Sequence, residues 1–215
     1  MKKILLIGPP GSGKGTQATI IAQTLGIPTI STGHILREEV RSQSPLGLQI
    51  REIIEAGHLV DDQIMIKVIQ KRLAQNDCSN GFILDGFPRT LSQALALTDA
   101  QIKLDFVFSL EIADNLIIER LSGRREHPGS GRSYHILYNP PKKDNIDDLT
   151  GEPLIQRKDD MPDNIKTRLV NFHAATAPVI SYYREQGSAL GVLFKSFDAS
   201  LDIKVITQSL LGCFN

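Results

Sequence analysis

The chain has 215 residues, enough for one α/β domain with insertions or at most two small domains. Hydrophobic residues make up 41% and charged residues 22%, the balance of a globular chain that buries a real core. Lys plus Arg and Asp plus Glu both number 24, so no net charge draws the molecule to nucleic acid or an acidic membrane, although a local cationic cleft stays possible.

The opening MKKILLIG sets two lysines before an apolar run, as a secretory signal does. Only four apolar residues precede Gly8, too few for a signal core, and a buried first strand is the better reading. No run approaches the ~20 apolar residues that a membrane span needs. After the strand at 3–7 the pattern gives a helix over 14–25, a short strand at 28–30, and helices over 35–41, 46–55 and 61–75. A strand at 82–84, a helix over 91–103, a strand at 105–110 and a helix over 115–121 follow. Residues 123–160 are rich in Gly, Pro, Asn and Asp, and so long a structureless loop is improbable in a compact domain. A small β-rich insertion is expected there. A long helix over 163–185, a strand at 192–197 and a helix over 201–211 close the chain. Strand–helix alternation of this kind gives a parallel sheet with helices on both faces, and ligands bind at the carboxyl edge of its strands. Cys78 and Cys213 form no metal-like pair. Reduced thiols in the cytosol are the default, with one disulfide between them left open.

Between the first strand and the first helix stands Gly8-Pro9-Pro10-Gly11-Ser12-Gly13-Lys14-Gly15-Thr16. It follows G-x-x-x-x-G-K-[ST] except that Gly15 stands after the lysine and the hydroxyl arrives one place late, at Thr16. Glycines let successive N–H groups turn inward around phosphate oxygens, and the helix N-terminus adds its positive end. Lys14 supplies a point charge between β- and γ-phosphates. A plain Gly-Pro turn would explain neither the lysine nor the flanking strand and helix.

The form GPPGSGKGTQ resembles the loop of the adenylate kinases, in which glycine follows the lysine and threonine comes next. Further blocks match that family in order along nearly the whole chain. They are Ser31-Thr32-Gly33, Leu36-Arg37, Asp85-Gly86-Phe87-Pro88-Arg89, Gly123-Arg124-Arg125, Arg132-x-Tyr134-His135, Asn139-Pro140-Pro141 and Arg157-Lys158-Asp159-Asp160. The resemblance implies the P-loop nucleoside monophosphate kinase fold, a parallel five-stranded sheet flanked by helices with a small β-rich lid. Residues 1–30, 61–122 and 161–215 would form the core, 31–60 the acceptor-binding segment and 123–160 the lid.

It also implies a reaction, MgATP + AMP ⇌ 2 ADP, that serves adenine nucleotide balance. The acceptor is a phosphate already largely ionised at neutral pH, with a second pKa of ~6, so no general base is needed. The chemistry demands neutralised anions, in-line positioning and exclusion of water. Planar arginine forks suit that task. By resemblance Arg89 holds the AMP phosphate with Arg37 beside it, while Arg124, Arg157 and Arg168 converge on the transferring group. Gly11, Ser12, Gly13, Lys14, Gly15 and Thr16 cradle ATP, with Arg120, Ser133, Tyr134 and Leu201 nearer its base and lid side. Asp85 ends a buried run and is a candidate for organising Mg²⁺ and its waters; a helix-capping aspartate is the plainer alternative. Thr32 and Gln93 would select the acceptor base, since a glutamine amide both donates and accepts, as adenine's edge requires. His58, Leu59 and Val60 line the base pocket, and Gly86, Phe87 and Pro88 lead into Arg89. The expected partners are ATP, AMP and ADP, with no nucleic acid or membrane, in a cytoplasmic monomer.

In some adenylate kinases cysteines hold a structural zinc in the lid. Here His127, Ser130, Asp147 and Thr150 stand at that spacing without a thiolate, and a hydrogen-bonded polar cluster is expected in place of a metal. The same residues suggest a Ser-His-Asp hydrolase, but Ser130 lies on no strand-to-helix elbow. Two departures stand out. His34 replaces the aspartate usual after Ser-Thr-Gly, so activity should depend less on Mg²⁺ than in a His34→Asp variant. Asp198-Ala199-Ser200-Leu201 replaces an Asp-Gly-Thr-Lys turn, and Ala199 lacks the freedom of a glycine to take positive φ. Two other readings are a CMP- or UMP-type monophosphate kinase, disfavoured by Thr32, Gln93 and the long lid, and a silent ATP-binding module, disfavoured by so many phosphate-directed charges.

Overall fold

The computed structural model describes residues 1–214. Five strands form one parallel sheet in the order β2-β3-β1-β4-β7: β1 (Lys2–Ile7), β2 (Thr29–Ser31), β3 (Gly81–Asp85), β4 (Phe106–Glu111) and β7 (Leu193–Asp198). The helices are α1 (Lys14–Leu25), α2 (Thr32–Arg41), α3 (Pro45–Glu55), α4 (Asp62–Leu73), α5 (Leu91–Asp99), α6 (Asp114–Ser122), α7 (Pro162–Asn171), α8 (Ala177–Gln186) and α9 (Ile203–Leu211). This is the α/β architecture that the alternation predicts.

The central strand β1 shows why. Its side chains alternate across the sheet, and both faces are covered, so the strand reads as one apolar run. Leu5 and Ile7 join Ile30, Phe82, Leu84 and Val107 in the larger core, on the side of α2, α3, α4, α5 and α8. Ile4 and Leu6 join Ile83, Phe108 and Leu110 in a second core closed by α1 and α9. A third, small cluster of Ile117, Leu121, Ile165 and Leu169 ties α6 to α7. Side-chain caps start several helices: Ser44 accepts from the N–H of Gly47, Asp61 from Gln63 and Ile64, Thr90 from Gln93, and Asp202 from Lys204.

Register brings the chemistry to one edge. Asp85 at the end of β3 pairs with Leu6 on β1 and with Ser31 on β2, so Gly8, Thr32 and Gly86 all leave the sheet together. Two sequence expectations need correction. The helix expected over 163–185 is interrupted by a π-helical turn at Phe172–Thr176, just before Pro178. Pro178 has no N–H to give the preceding turn, and the wider turn accommodates that loss. Helix α5 ends at Asp99, and Gln101 at φ 56° turns the chain back toward β4. Residues 123–160 contain two three-residue strands, β5 (Arg124–Glu126) and β6 (Ser133–His135), plus isolated bridges at Glu126–Ile155, His135–Asn139 and Ile146–Pro153. This is the small β-rich insertion expected there, and side-chain hydrogen bonds brace it further. Both cysteines are free. Among the described residues no helix is long and apolar enough to cross a membrane.

Candidate active site

The loop after β1 wraps around the N-terminus of α1. Gly8, Gly11 and Gly13 have φ of 151°, 75° and 90°, conformations a side chain would strain. Gly8 also lies so close to β4 that a Cβ there would stand 2.4 Å from the Leu110 carbonyl oxygen. Gly13 caps α1 without any side-chain acceptor, which leaves the first helical N–H groups free for an anion. The Lys14 ammonium folds back over the loop and donates to the carbonyls of Gly8 and Pro9 at 2.8 and 2.7 Å. Burial lowers its pKa to about 8, against the opposing pull of Asp85, while Arg89, Arg168 and Arg124 lower it further. Position 15 faces Asp85: a Cβ on Gly15 would lie 3.7 Å from the carboxylate. The displaced hydroxyl of Thr16 is on the exposed side of the helix start.

Opposite the loop, the turn after β3 delivers Arg89. Gly86 has φ 80°, the Phe87–Pro88 bond is cis, and the Arg89 Nε donates back to the Gly86 carbonyl at 2.8 Å. A Cβ on Gly86 would meet Thr32 Oγ1 at 2.8 Å and Arg89 Nη2 at 3.0 Å, so only glycine lets these two side chains close over the turn. Thr32 is buried, and its hydroxyl donates to the Gly86 carbonyl at 2.8 Å. Gln93 is also buried. Its amide oxygen accepts from the Arg89 N–H and its nitrogen donates to Asp62, both at 2.7 Å. One amide hydrogen and one lone pair of Gln93 therefore remain for a base. His58 is exposed and Leu59 partly so, whereas Val60 packs into the core. Asn171 fixes this segment by donating to the Gly57 carbonyl at 3.0 Å.

The insertion and α7 bring the remaining arginines. Asp160 is fully buried and accepts from Arg124 Nε at 2.8 Å and Nη2 at 2.5 Å, and from Arg168 Nη1 at 2.7 Å. Arg168 also pairs with Asp159 at 2.9 Å. Arg37 and Arg157 both face Glu126, Arg37 at 3.3 Å. Burial is the first cause that holds Arg37, Arg89, Arg157 and Arg168 below the usual guanidinium range, and neighbouring arginines add to it. Guanidiniums remain charged all the same. The result is a crowded set of buried guanidiniums in which, among the described residues, Arg89 alone has no carboxylate within ion-pair reach.

A network within the insertion joins all four of the residues expected to cluster. His127 Nδ1 meets Ser130 at 2.8 Å, and its Nε2 meets Glu152 at 2.5 Å and Thr150 at 3.4 Å. Asp147 accepts from Arg132, Tyr134 and Thr150. The Tyr134 hydroxyl thus serves the lid interior, while Ser133 is exposed on β6. Hydrogen bonds from the Ser200 hydroxyl and N–H hold the Asp198 carboxyl below its usual range, with Arg120, half-buried in the last turn of α6, adding a smaller pull; Leu201 beside them is exposed. Ala199 is buried and keeps a negative φ, its N–H donating to the Glu111 carbonyl at 2.8 Å.

A family model described as adenylate kinase matches residues 6–188. The chain belongs to the adenylate kinase family. It is therefore a phosphotransferase acting on nucleotides, and the five-stranded sheet is the P-loop kinase sheet of that family. In this adenylate kinase family member the acidic partners carry little signal in sequence, although Asp159 and Asp160 stand in the Arg157-Lys158-Asp159-Asp160 block. Asp62, Asp159, Asp160 and Glu126 hold Gln93 and four arginines, yet an isolated carboxylate such as Glu126, between Arg125 and His127, carries no signal in sequence. Thr176 is another, its hydroxyl bonding the Arg89 carbonyl at 2.9 Å from the π-helical turn.

Proposed function

We propose that the protein catalyses reversible phosphoryl transfer from MgATP to AMP, giving two ADP. The observation that carries this reading is the cluster of Lys14, Arg89, Arg124, Arg157 and Arg168, drawn from the loop, the β3 edge, the insertion and α7 into one another's electrostatic reach. A single nucleotide phosphate tail needs fewer charges; two tails meeting end to end need them all. Arg89 and Arg37 serve the acceptor phosphate, the α1 N-terminus and Lys14 the donor tail, and Arg124, Arg157 and Arg168 the group in transit. The acceptor oxygen is already anionic, so no residue is asked to remove a proton from it.

Asp85 suits Mg²⁺: it is a carboxylate at the strand edge facing Lys14 and Gly15, and Mg²⁺ in kinases takes one or two carboxylates with phosphates and waters. When bound, the ion supplies neutralisation of the β- and γ-phosphate oxygens. Residues 123–160 act as a lid and 31–60 as a mobile acceptor segment, and their closure keeps water from the transferring group. ATP, AMP and ADP are its ligands, and it works as a cytoplasmic monomer.

Selectivity for AMP rests on Thr32 and the free valences of Gln93. The test offers AMP, CMP, UMP and GMP in parallel with MgATP, with a no-acceptor control. At least about tenfold preference for AMP is expected, the discrimination one buried hydrogen-bonding pair gives. Preference for a pyrimidine would keep the mechanism and overturn the acceptor pocket. No transfer to any acceptor would favour a nucleotide-binding module.

A further inference from the structure

The cationic cleft contains one acid with an unusual position. Glu126 lies on β5 in the lid, is 3% exposed, and points each carboxylate oxygen at a different arginine. Its Oε1 is 3.3 Å from Nε of Arg37, which belongs to α2 in the acceptor segment. Its Oε2 pairs with Nη2 of Arg157, at the far end of the lid. The backbone around it is fixed. Its N–H donates to the Ile155 carbonyl at 2.8 Å and its carbonyl accepts from the Ile155 N–H at 2.9 Å. The side chain is therefore aimed by the lid fold.

Among the described residues, Glu126 is the only ion-pair partner of Arg37 or of Arg157. The two guanidiniums repel one another, and each is buried. Asp159 and Asp160 act on both from farther off, and Glu126 is the carboxylate that touches them. Position 34 on the same helix offers none, since it is a histidine whose ring packs on the lid: a Cβ at Gly131 would fall 2.7 Å from its Nδ1. Lys158 and Glu55, paired at 2.9 Å, cross the same seam.

We propose that Glu126 is a positioning residue: a carboxylate carried by the lid that holds Arg37 of the acceptor segment beside Arg157, so that both forks are ordered only when lid and acceptor segment meet. The proposal rests on the reading that Arg37 and Arg157 serve transferred and acceptor phosphates. Closure of the lid then assembles the acceptor phosphate site, and an acceptor phosphate in turn favours closure. Glu126 touches no reacting atom.

Two readouts test it. In steady-state transfer Glu126→Gln should raise KM for AMP about tenfold while kcat changes less than about threefold, and Glu126→Asp should recover part of the loss. In the ligand-free protein, spin labels at exposed positions 48 and 149, with Cys213→Ser, should report longer lid-to-segment distances in Glu126→Gln than in the parent. Unchanged distances together with unchanged or lower KM would overturn the proposal, the lower KM meaning that Glu126 merely competes with phosphate. Lengthened distances in a protein that transfers to some other monophosphate would support Glu126 and sink the AMP reading instead.

Discussion

Lys14 is a cation held where cations are disfavoured. In the ligand-free chain it donates to the loop's own carbonyls, and burial lowers its pKa to about 8. A nucleotide phosphate in the loop would restore the ordinary preference for the charged form. The sign then follows. Above pH 8 the free protein has lost the proton and the complex keeps it, so nucleotide binding takes a proton up. Calorimetry of ATP binding in buffers of different ionisation enthalpy should show uptake of close to one proton at pH 9 and about a tenth of one at pH 7. Affinity should weaken as pH rises through 8. The same group affects folding: between pH 8 and the unfolded value of ~10.4 the unfolded chain binds more protons, so its contribution to stability rises with pH there. No uptake at pH 9 would mean that Lys14 does not face the phosphates.

At the scale of elements, the geometry of residues 31–60 depends on how closely α2 and α3 approach. Gly47 on α3 lies against α2, where a Cβ would fall 1.9 Å from the Glu39 carbonyl oxygen. Its φ is ordinary, so the constraint is space alone. Gly47→Ala should push the pair apart and cost about 3 kcal/mol in urea unfolding, with a rise in KM for the acceptor as Arg37 shifts. Full stability in that variant would show that α2 moves freely in the ground state. How legible these elements were depends on what marks them. Strands such as β1 and β3 announce themselves as apolar runs bounded by glycine, and α3 by Ser44 and Pro45. The π-helical turn at Phe172–Thr176 has no periodic signature beyond Pro178, and the end of α5 is set by Gln101, a residue with no preference for positive φ. The insertion was legible as β-rich from its alternating stretches, but its fastening through the side chains of Asp147, His127 and Arg132 was not.

Across the whole molecule, the cations of the site were readable because each lies in a block with a fixed neighbourhood: Lys14 in its glycine loop, Arg89 after the Asp-Gly-Phe-Pro turn, Arg157 before Lys-Asp-Asp. Their counter-ions were not, since pairing of Glu126 with Arg37 joins residues 89 positions apart, which only the folded chain brings together. The fold thus gathers opposed charges from α2, α7 and the insertion beside the carboxyl edge of the sheet. The proposed site must pass a phosphoryl group between two nucleotides and not to water. Incubation with Mg²⁺ and ADP as the only nucleotide tests this most directly, with products resolved by chromatography and free phosphate assayed. Equal amounts of ATP and AMP without phosphate release are the predicted result; no conversion, or AMP accompanied by free phosphate, would contradict it.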